Sequence, residues 1–423
     1  MAAALKIKPE LYTAMLRFFR SAAFTVEALY HRLIHLVMAH APVMEADGRI
    51  VLLADHIKVS KEGLKMPCIQ KWHQESQNSG KGEYIQGHNF GIVSMLAQAG
   101  KRIRSIPVMA EIHESKAQTD GGSIIEKMAR MMGKIAKTAG KGAVGVCDAY
   151  FFSKTMLNTA ASFFDENGKP LLHIVTRAKK NAAGFMPIPP SGKSGAARRG
   201  RPKMYGKKIS LGACFSARKE DFSETVMKLY NKDQRLRFLC LDLLWKPVKR
   251  TVRFVLTEMN GSRFILMSSD TGLTAEQIIH LYSSRFKIEV MFDDLKNDLG
   301  GFRYHFWTKG LAKRKRGQAA AAPKNEKERE LAAKAKKAIE AYVCVHIIGL
   351  GILSLLGIKE SRIIWDHYSG WLRTRRTEEP SLMVTKQVVS DEYHEKYRKL
   401  KRFPTFLALL AVRRSTDFLY RMA

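Results

Sequence analysis

Cysteine is scarce in this chain of 423 residues: five cysteines stand far apart, and no CxxC pair occurs among them. A disulfide framework or a zinc finger needs closely spaced cysteines, so neither is expected, and a reducing compartment fits the composition. Residues 1–10 also lack the apolar stretch that a secretory signal peptide carries. We therefore expect a cytoplasmic protein.

Acidic residues are also few. The chain has 39 Asp and Glu against 72 Lys and Arg, which gives a formal net charge of +33. An excess of this size repels itself unless anions bind to it, so the composition indicates a polyanionic partner. Nucleic acid is the first choice and an acidic membrane surface the second. The charge argues against a metabolic enzyme of the cytosol.

Long apolar runs are nearly absent, since Ala341–Ile358 is the single one. This run contains His346 and Ser354, and its length lies at the low end of the roughly 17–25 residues that a membrane span requires. We therefore predict a buried helix here, with a membrane span as the alternative, and we expect no membrane partner.

The first half of the chain has the pattern of an α/β fold. Apolar residues at three- and four-residue spacing predict helical structure over Leu11–His40, which either packs as one or two helices or contacts DNA. Helices are also expected over Ser123–Ala139 and near Lys154–Phe164. Strands are predicted over Arg49–Val59, Lys65–His73, Tyr84–Ala97, Ile103–Glu114, Lys141–Tyr150 and Leu171–Thr176. This order favours helices packed on a mixed sheet.

A proline- and arginine-rich stretch, Ala178–Gly206, interrupts this pattern as a basic linker. A short helix near Ser223–Tyr230 and β-rich sequence up to Ser268 are expected to follow, with a hairpin turn at Asn260-Gly261. A helix then begins after Thr274, whose spacing to Gln277 predicts a capping box, and it continues to about Asp298. Beyond it, Lys309–Lys337 is read as a basic loop or an exposed helix, and its Lys309–Arg316 part as a phosphate-backbone patch or a solvated loop.

The helix after Thr274 carries four large polar side chains on one side. Offsets of 0, 3, 7 and 14 residues place Tyr282, Arg285, Glu289 and Lys296 at about 0°, −60°, −20° and −40° around the helix axis. This stripe lies beside the apolar face of the helix, which suggests a site. The simpler interpretation is an exposed ion pair between Arg285 and Glu289.

Two aspartates in the predicted sheet make a site more attractive. Asp55 lies inside the first strand, and Asp148 ends the strand that begins near Lys141. A carboxylate in an apolar strand is costly unless it is paired or binds a metal, although each aspartate alone would more often be a structural acid. Together with Glu289 they predict a cluster of three carboxylates, whose hard oxygen atoms suit Mg²⁺ or Mn²⁺.

The spacing Tyr282-x2-Arg285-x3-Glu289-x6-Lys296 is similar to the Tyr-Arg-Glu-Lys signature of the DDE transposases of bacterial insertion sequences. Asp55 and Asp148 stand where that family has its two catalytic aspartates, and the resemblance extends over about Arg49 to Gly357. It implies a ribonuclease-H-like mixed sheet flanked by helices and interrupted by a β-rich insertion. The sequence departs from the pattern at His56, where small or hydroxyl residues are frequent in relatives.

The resemblance implies a chemistry and a division of the chain. Asp55, Asp148 and Glu289 would be catalytic and would hold two Mg²⁺ ions, with Mn²⁺ as a substitute, for nicking DNA at the ends of a mobile element and joining the 3′ hydroxyl to a new phosphodiester. Tyr282, Arg285 and Lys296 would bind DNA phosphates. The expected regions are a helical N-terminal part that contacts DNA, the first part of the core, the linker and insertion, the second part of the core, and a helical C-terminal part: residues 1–47, 48–177, 178–272, 273–358 and 359–423.

Weaker signals add three further DNA-binding residues. Arg199 and Arg201 resemble a hook that enters the minor groove, although a flexible basic linker is an equal interpretation. Trp245 is a candidate to stack on a base, against the alternative of a core tryptophan. Asp293, one turn after Glu289, is read as a surface acid rather than a further ligand.

The partners implied by the resemblance are double-stranded DNA, both element ends and target, and a second copy of the chain in a dimer on DNA, in a prokaryotic cytoplasm close to the nucleoid. Two other functions stay open: a catalytically inactive DNA-binding derivative, and a ribonuclease-H-like nuclease without strand transfer.

Overall fold

A computed structural model describes residues 12–397 apart from 75–81, 101, 115–121, 189–203, 231, 321–322 and 373–378. The helices are α1 (Tyr12–Arg20), α2 (Val26–His40), α3 (Ile124–Ala139), α4 (Lys154–Ala160), α5 (Leu211–Ala217), α6 (Ala275–Ser283), α7 (Lys287–Asp293), α8 (Glu326–Lys359), α9 (Ser361–His367) and α10 (Leu382–Tyr397). The strands are β1 (Glu45–Ala46), β2 (Arg49–Ser60), β3 (Gln70–His73), β4 (Tyr84–Ala99), β5 (Arg102–Ile112), β6 (Ala143–Cys147), β7 (Leu172–Arg177), β8 (Ala183–Phe185), β9 (Lys208–Ser210), β10 (Ser223–Leu229), β11 (Lys232–Trp245), β12 (Arg250–Met259) and β13 (Ser262–Ser268).

All of these strands belong to one mixed sheet, so the prediction of an α/β fold with helices on a mixed sheet is confirmed. In its first half, β5, β4 and β2 are antiparallel neighbours, and β6 and β7 follow on the other side of β2 as parallel strands. The parallel order results from the crossovers, because α3 leads into β6 and α4 leads into β7.

The second half of the sheet continues from β7. Strand β13 pairs antiparallel with β7, and β12, β11 and then β10 follow, with the short strands β8 and β9 beside β11. The Asn260-Gly261 hairpin predicted from the sequence joins β12 to β13, and both residues have positive φ, as a type I′ turn requires.

One prediction in this half is wrong. Ser223–Tyr230 was expected to be helical, but Ser223–Leu229 forms strand β10 and pairs with β11 along its whole length. The segment is partly exposed and its own helix or strand preference is weak, so the long neighbouring strand decides its conformation.

Helices cover the first half of the sheet. Within the part of the chain that the structure describes, α8 is the one helix long and apolar enough to cross a membrane by length and composition, and 72% of its most apolar stretch is buried inside the fold. It packs against β5, and α1 and α2 pack on it in turn. The predicted N-terminal helical stretch is therefore a pair of helices, with Thr25 as the N-cap of the second.

The helical segment that follows Thr274 is less regular than its periodicity predicts. The predicted capping box between Thr274 and Gln277 is present. A 3₁₀ turn at Ser284–Phe286 separates α6 from α7, and a π turn at Asp294–Asp298 ends the segment. Such turns are frequent at functional sites.

Candidate active site at the ends of strands β2 and β6

Two of the predicted carboxylates lie side by side. Strands β2 and β6 run parallel, and their register pairs Ala54 with Cys147, so Asp55 and Asp148 occupy the next position on each strand. Residues in lateral register on adjacent strands point to the same face of a sheet, and both side chains therefore project on one side. Helix α3 packs closely on Gly145, two positions before Cys147, and so covers the opposite face.

Local hydrogen bonds fix both aspartates. Asp55 Oδ1 accepts the backbone N–H of His56 at 2.7 Å. Asp148 begins a 3₁₀ turn as its N-cap, and its Oδ1 accepts the backbone N–H of Tyr150 at 3.0 Å. The hydroxyl of Thr176, on the neighbouring strand β7, donates to the backbone carbonyl of Asp148 at 2.5 Å. Each carboxylate thus keeps one oxygen engaged with its own backbone.

The third carboxylate arrives from α7 through an arginine. The Arg285 guanidinium donates to Asp55 Oδ2 at 3.3 Å and to Glu289 Oε1 at 2.6 Å. Arg285 and Asp55 are about one-fifth exposed, at 21% and 20%, whereas Glu289 is 59% exposed. The pair that could have been a surface contact between Arg285 and Glu289 alone is therefore a three-residue bridge between the helix and the sheet.

The electrostatics at Asp55 are unusual for a carboxylate. Burial and the nearby charge of Asp148 raise the pKa of Asp55 to about 7, against the opposing effects of the His56 N–H and of Arg285. The Arg285 pKa is raised, because the charges of Asp55 and Glu289 outweigh its own burial. The charges of Asp148 and Glu289 both raise the pKa of Asp55, so a further cation beside this carboxylate would be stabilised.

The donor set fits a divalent cation in its chemistry. Within residues 12–397, wherever the structure describes them, no three histidine, cysteine or acidic side chains are gathered closely enough to hold a metal ion. The carboxylate oxygens are nevertheless the donors that Mg²⁺ prefers, and the repulsion between Asp55 and Asp148 is what such an ion relieves. Glu289 is held by Arg285, so it would have to leave that partner to join them.

The remaining residues of the predicted stripe divide into two groups. Tyr282 is half-buried, and its pKa is raised by burial against the opposing charges of Arg285 and Arg177, while Asp148 raises it further. It therefore lies in the same charged neighbourhood as the carboxylates. Lys296 lies in the π turn and is exposed, and no hydrogen bond or ion pair joins it to the carboxylates in the described part of the chain.

The weaker DNA-binding candidates are either buried or outside the described residues. Arg199 and Arg201 lie outside the described residues. Trp245 is buried, with 6% of its surface exposed, and its ring packs on Phe152 at a centroid distance of 4.6 Å. This is the core packing that was the alternative interpretation, and a base could reach the ring only if Phe152 moved.

One residue of the predicted basic patch at Lys309–Arg316 is not available to bind phosphate. Arg314 is buried, with 7% of its surface exposed, and donates to the backbone carbonyls of Lys61, Gly63 and Gln318. Its charge holds two loops together and is not available to a phosphate backbone.

A histidine pair beneath the site was not predicted. His56 Nε2 and His113 Nδ1 are 2.9 Å apart, and the His56 ring stacks on Phe151, in the turn that Asp148 caps. Gly91 makes room for this pair, since a Cβ there would lie 2.3 Å from His113. The contacts connect the strand of Asp55 with the turn of Asp148. His56 stands out in the sequence next to Asp55, but nothing in the sequence singles out His113.

A second residue that sequence reasoning missed is Arg177. It closes β7 as Asp148 closes β6, and its charge reaches Tyr282. The sequence signal for Arg177 was its place at the carboxyl end of β7, the parallel strand next to the one that Asp148 follows.

Comparison with known proteins gives little. No family model and no curated protein matches the chain. Among solved structures, the chain is similar to the NurA nuclease from Sulfolobus solfataricus, with 10% sequence identity and a TM-score of 0.23, over 68% of this chain and 92% of the nuclease chain. A TM-score of 0.23 is too low for this likeness to bear on the fold or on the activity.

Proposed function

We propose that the chain is a DDE transposase, a metal-dependent enzyme that nicks DNA and joins the released 3′ hydroxyl to a new phosphodiester. The observation that carries the proposal is the bridge from Arg285 to Asp55 and Glu289 beside Asp148. It brings Arg285 of the Tyr-Arg-Glu-Lys spacing into contact with a strand more than 200 residues away in the chain, while Arg285 also holds Glu289. A solvated helix face has no reason to do this.

The arrangement of the sheet supports a ribonuclease-H-like core. Three antiparallel strands with β2 at one side, followed by the parallel strands β6 and β7 through helical crossovers, resemble the strand and helix order of that core. The strands from β8 to β13 lie between the second aspartate and the glutamate, where this branch of transposases carries its β-rich insertion.

Asp55, Asp148 and Glu289 would hold the two divalent ions, Mg²⁺ or Mn²⁺. When bound, such ions lower the pKa of a coordinated water or hydroxyl and stabilise the leaving oxygen of a phosphodiester. The chain's own task is to keep the carboxylates in place and to bring the phosphate to them.

Arg285 and Tyr282 are placed for that second task. Arg285 donates to both Asp55 and Glu289, and its planar fork can bind a phosphate instead. Tyr282 has a polar tip in the same neighbourhood and can donate a hydrogen bond to a phosphate oxygen. Binding of DNA would thus exchange the partners of Arg285 and release Glu289.

Two alternatives differ from this proposal in measurable products. An inactive derivative would bind DNA without cutting it, and all three acids would then serve no purpose. A nuclease without strand transfer would cut but form no joined product, and the Tyr-Arg-Glu-Lys spacing and the β-rich insertion favour transposition over it.

The test incubates the full chain with Mg²⁺ and with duplex DNA that carries the sequence flanking its own coding region, beside Asp148→Ala. We expect nicked strands and then joined products with the wild type, and neither with Asp148→Ala. Equal cutting by both proteins would overturn the enzymatic proposal. Cutting without any joined product would leave a nuclease.

A further inference from the structure

A cleft of about 680 Å³ opens on another side of the helical segment that carries Glu289. The start of β5, the end of β10, the segment from α6 to α7 and the start of α10 form its walls. Its charged lining consists mainly of four cations and one carboxylate, namely Arg102, Arg104, Lys228, Lys287 and Asp294. A cleft of this size is in the range of specific ligand sites.

The positive charge of the cleft is incompletely balanced within the chain. Arg104 pairs with Glu379 at 2.8 Å, but Arg102 donates to the backbone carbonyl of Glu379 rather than to a carboxylate. Lys287 has no carboxylate partner among the described residues. Burial and the charges of Arg102 and Arg104 lower the pKa of Lys287, so these three cations crowd one another. An anion in the cleft would relieve this repulsion.

The cleft and Glu289 lie on different sides of α7. Lys287 and Asp294 line the cleft, and at about 100° per residue they lie roughly 140–160° from the direction of Glu289 around the axis of α7. The cleft reaches closer to Arg285, whose charge acts on Tyr230 in the cleft lining. A ligand in the cleft therefore has α7 between itself and Glu289.

We infer that this cleft is a second nucleic-acid site, which binds backbone phosphates of a DNA segment other than the one held at Asp55, Asp148 and Glu289. The inference rests on the proposed function for the identity of the first segment. Four cations against one carboxylate leave the cleft lining with an excess of positive charge, which suits the phosphates of a nucleic-acid backbone. The net charge of +33 also favours nucleic acid over other anions as the ligand of the cleft.

The test measures binding and needs no cleavage. The probes are a fluorescein-labelled 20-nucleotide single strand and the duplex of the same sequence, titrated without metal at several salt concentrations. The variants are Arg102→Gln with Lys287→Gln, and a control, Lys169→Gln with Lys246→Gln, which removes the same charge from two exposed lysines outside the cleft. Thermal unfolding of each variant checks that it is folded, and Lys287→Gln alone serves if the double variant is not.

We expect the cleft variant to bind at least one probe about tenfold more weakly. The salt slope should fall by roughly 0.9 for each lost contact with the duplex or by roughly 0.7 with the single strand, and the control should bind as the wild type does. The probe that loses affinity shows whether the segment is single-stranded or duplex. Unchanged affinity and slope for both probes, or an equal loss in the control, would overturn the inference.

Combining the cleft variant with Arg285→Gln tests whether the two sites are separate. If the sites are separate, the wild type binds two probe molecules, and the cleft variant weakens one binding step while Arg285→Gln weakens the other. A single binding step that both sets of substitutions weaken would overturn the claim of a second segment. These binding measurements use no Mg²⁺ and do not depend on cleavage. A wild-type protein that cuts no DNA would therefore refute the proposed function, and the binding data would still decide whether the cleft is a nucleic-acid site.

Discussion

In the half of the sheet that extends beyond β7, Asp242 is paired with an arginine across the strands, whereas in the first half Asp55 lies among other acids. Asp242 accepts two hydrogen bonds from Arg253, at 2.8 and 2.7 Å, between the neighbouring strands β11 and β12. Asp55 has Asp148 as its lateral neighbour and shares one arginine with Glu289.

The difference separates a carboxylate whose charge is compensated within the chain from one whose charge is not, and the proposed function assigns the chemistry to the second kind. The charge of Asp242 is compensated within the chain and needs nothing further. The charge at Asp55 is under-compensated, which costs folding free energy and favours a ligand that brings positive charge. Selection for stability alone would not maintain such a group, and this is the physical reason to assign chemistry to the first half of the sheet.

The largest expected effect comes from removing the charge of Glu289. Glu289→Gln should reduce DNA nicking roughly 10³-fold, because the cluster loses a ligand that no neighbour replaces. Asp293→Asn is the matched control: this acid lies one turn further on, is exposed, and accepts a hydrogen bond from Asn297 at 2.5 Å. It should nick within about twofold of the wild type. Single-turnover nicking of a supercoiled plasmid measures both.

A loss of similar size in both variants would show that the whole helix surface matters and not the bridged residue. Nicking by Glu289→Gln at the wild-type rate would exclude Glu289 as a metal ligand. The difference between Glu289 and Asp293 would then have no bearing on catalysis.

The second expected effect is on the free energy of unfolding. Replacing an aspartate by asparagine should raise it in the first half of the sheet, at Asp55, and lower it in the second half, at Asp242. The pKa of Asp55 is raised from 3.8 to about 7, so the folded protein holds this proton more tightly than the unfolded chain does. Stability is therefore lost as pH rises from 3.8 to about 7, and the full cost of about 4 kcal/mol applies above that. Asp55→Asn avoids this cost.

Asp55→Asn should therefore match the wild type near pH 4 and exceed its unfolding free energy by up to about 4 kcal/mol at pH 8, without metal. Asp242→Asn, which breaks a partly exposed pair, should lower it by at most about 1 kcal/mol. Urea unfolding at both pH values measures the two variants. A gain for Asp55→Asn that does not grow with pH would refute the assignment of this pKa.

Much of the fold could be predicted because local signals and final structure agree. The turn at Asn260-Gly261, the capping box of Thr274 and the strands β2, β4, β5, β6 and β7 follow from residue types at short range. Ser223–Tyr230 could not be predicted, since its strand conformation depends on pairing with β11. Periodicity likewise does not reveal the 3₁₀ turn that separates α6 from α7.

The candidate site was predictable in its residue types and not in its contacts. The sequence singles out Asp55, Asp148 and Glu289, but it offers Arg285 only as a helix neighbour of Glu289. That Arg285 also reaches Asp55 depends on how α7 lies over β2, which is a long-range property. The contact between His56 and His113 was missed for the same reason, because it joins strands 57 residues apart.

The smallest expected effect comes from changing the second half of the sheet without changing any charge. Gly261 has a φ of 72°, and a Cβ at this position would meet no atom within 4 Å. Gly261→Ala therefore costs only the left-handed backbone conformation, about 1 kcal/mol of unfolding free energy. Urea unfolding should report that loss, while the pH dependence of stability that Asp55 produces stays as in the wild type, because the turn contributes no charge near that carboxylate. A changed pH dependence would mean that the two halves of the sheet are coupled, and the comparison between Asp55 and Asp242 would then not separate one half from the other.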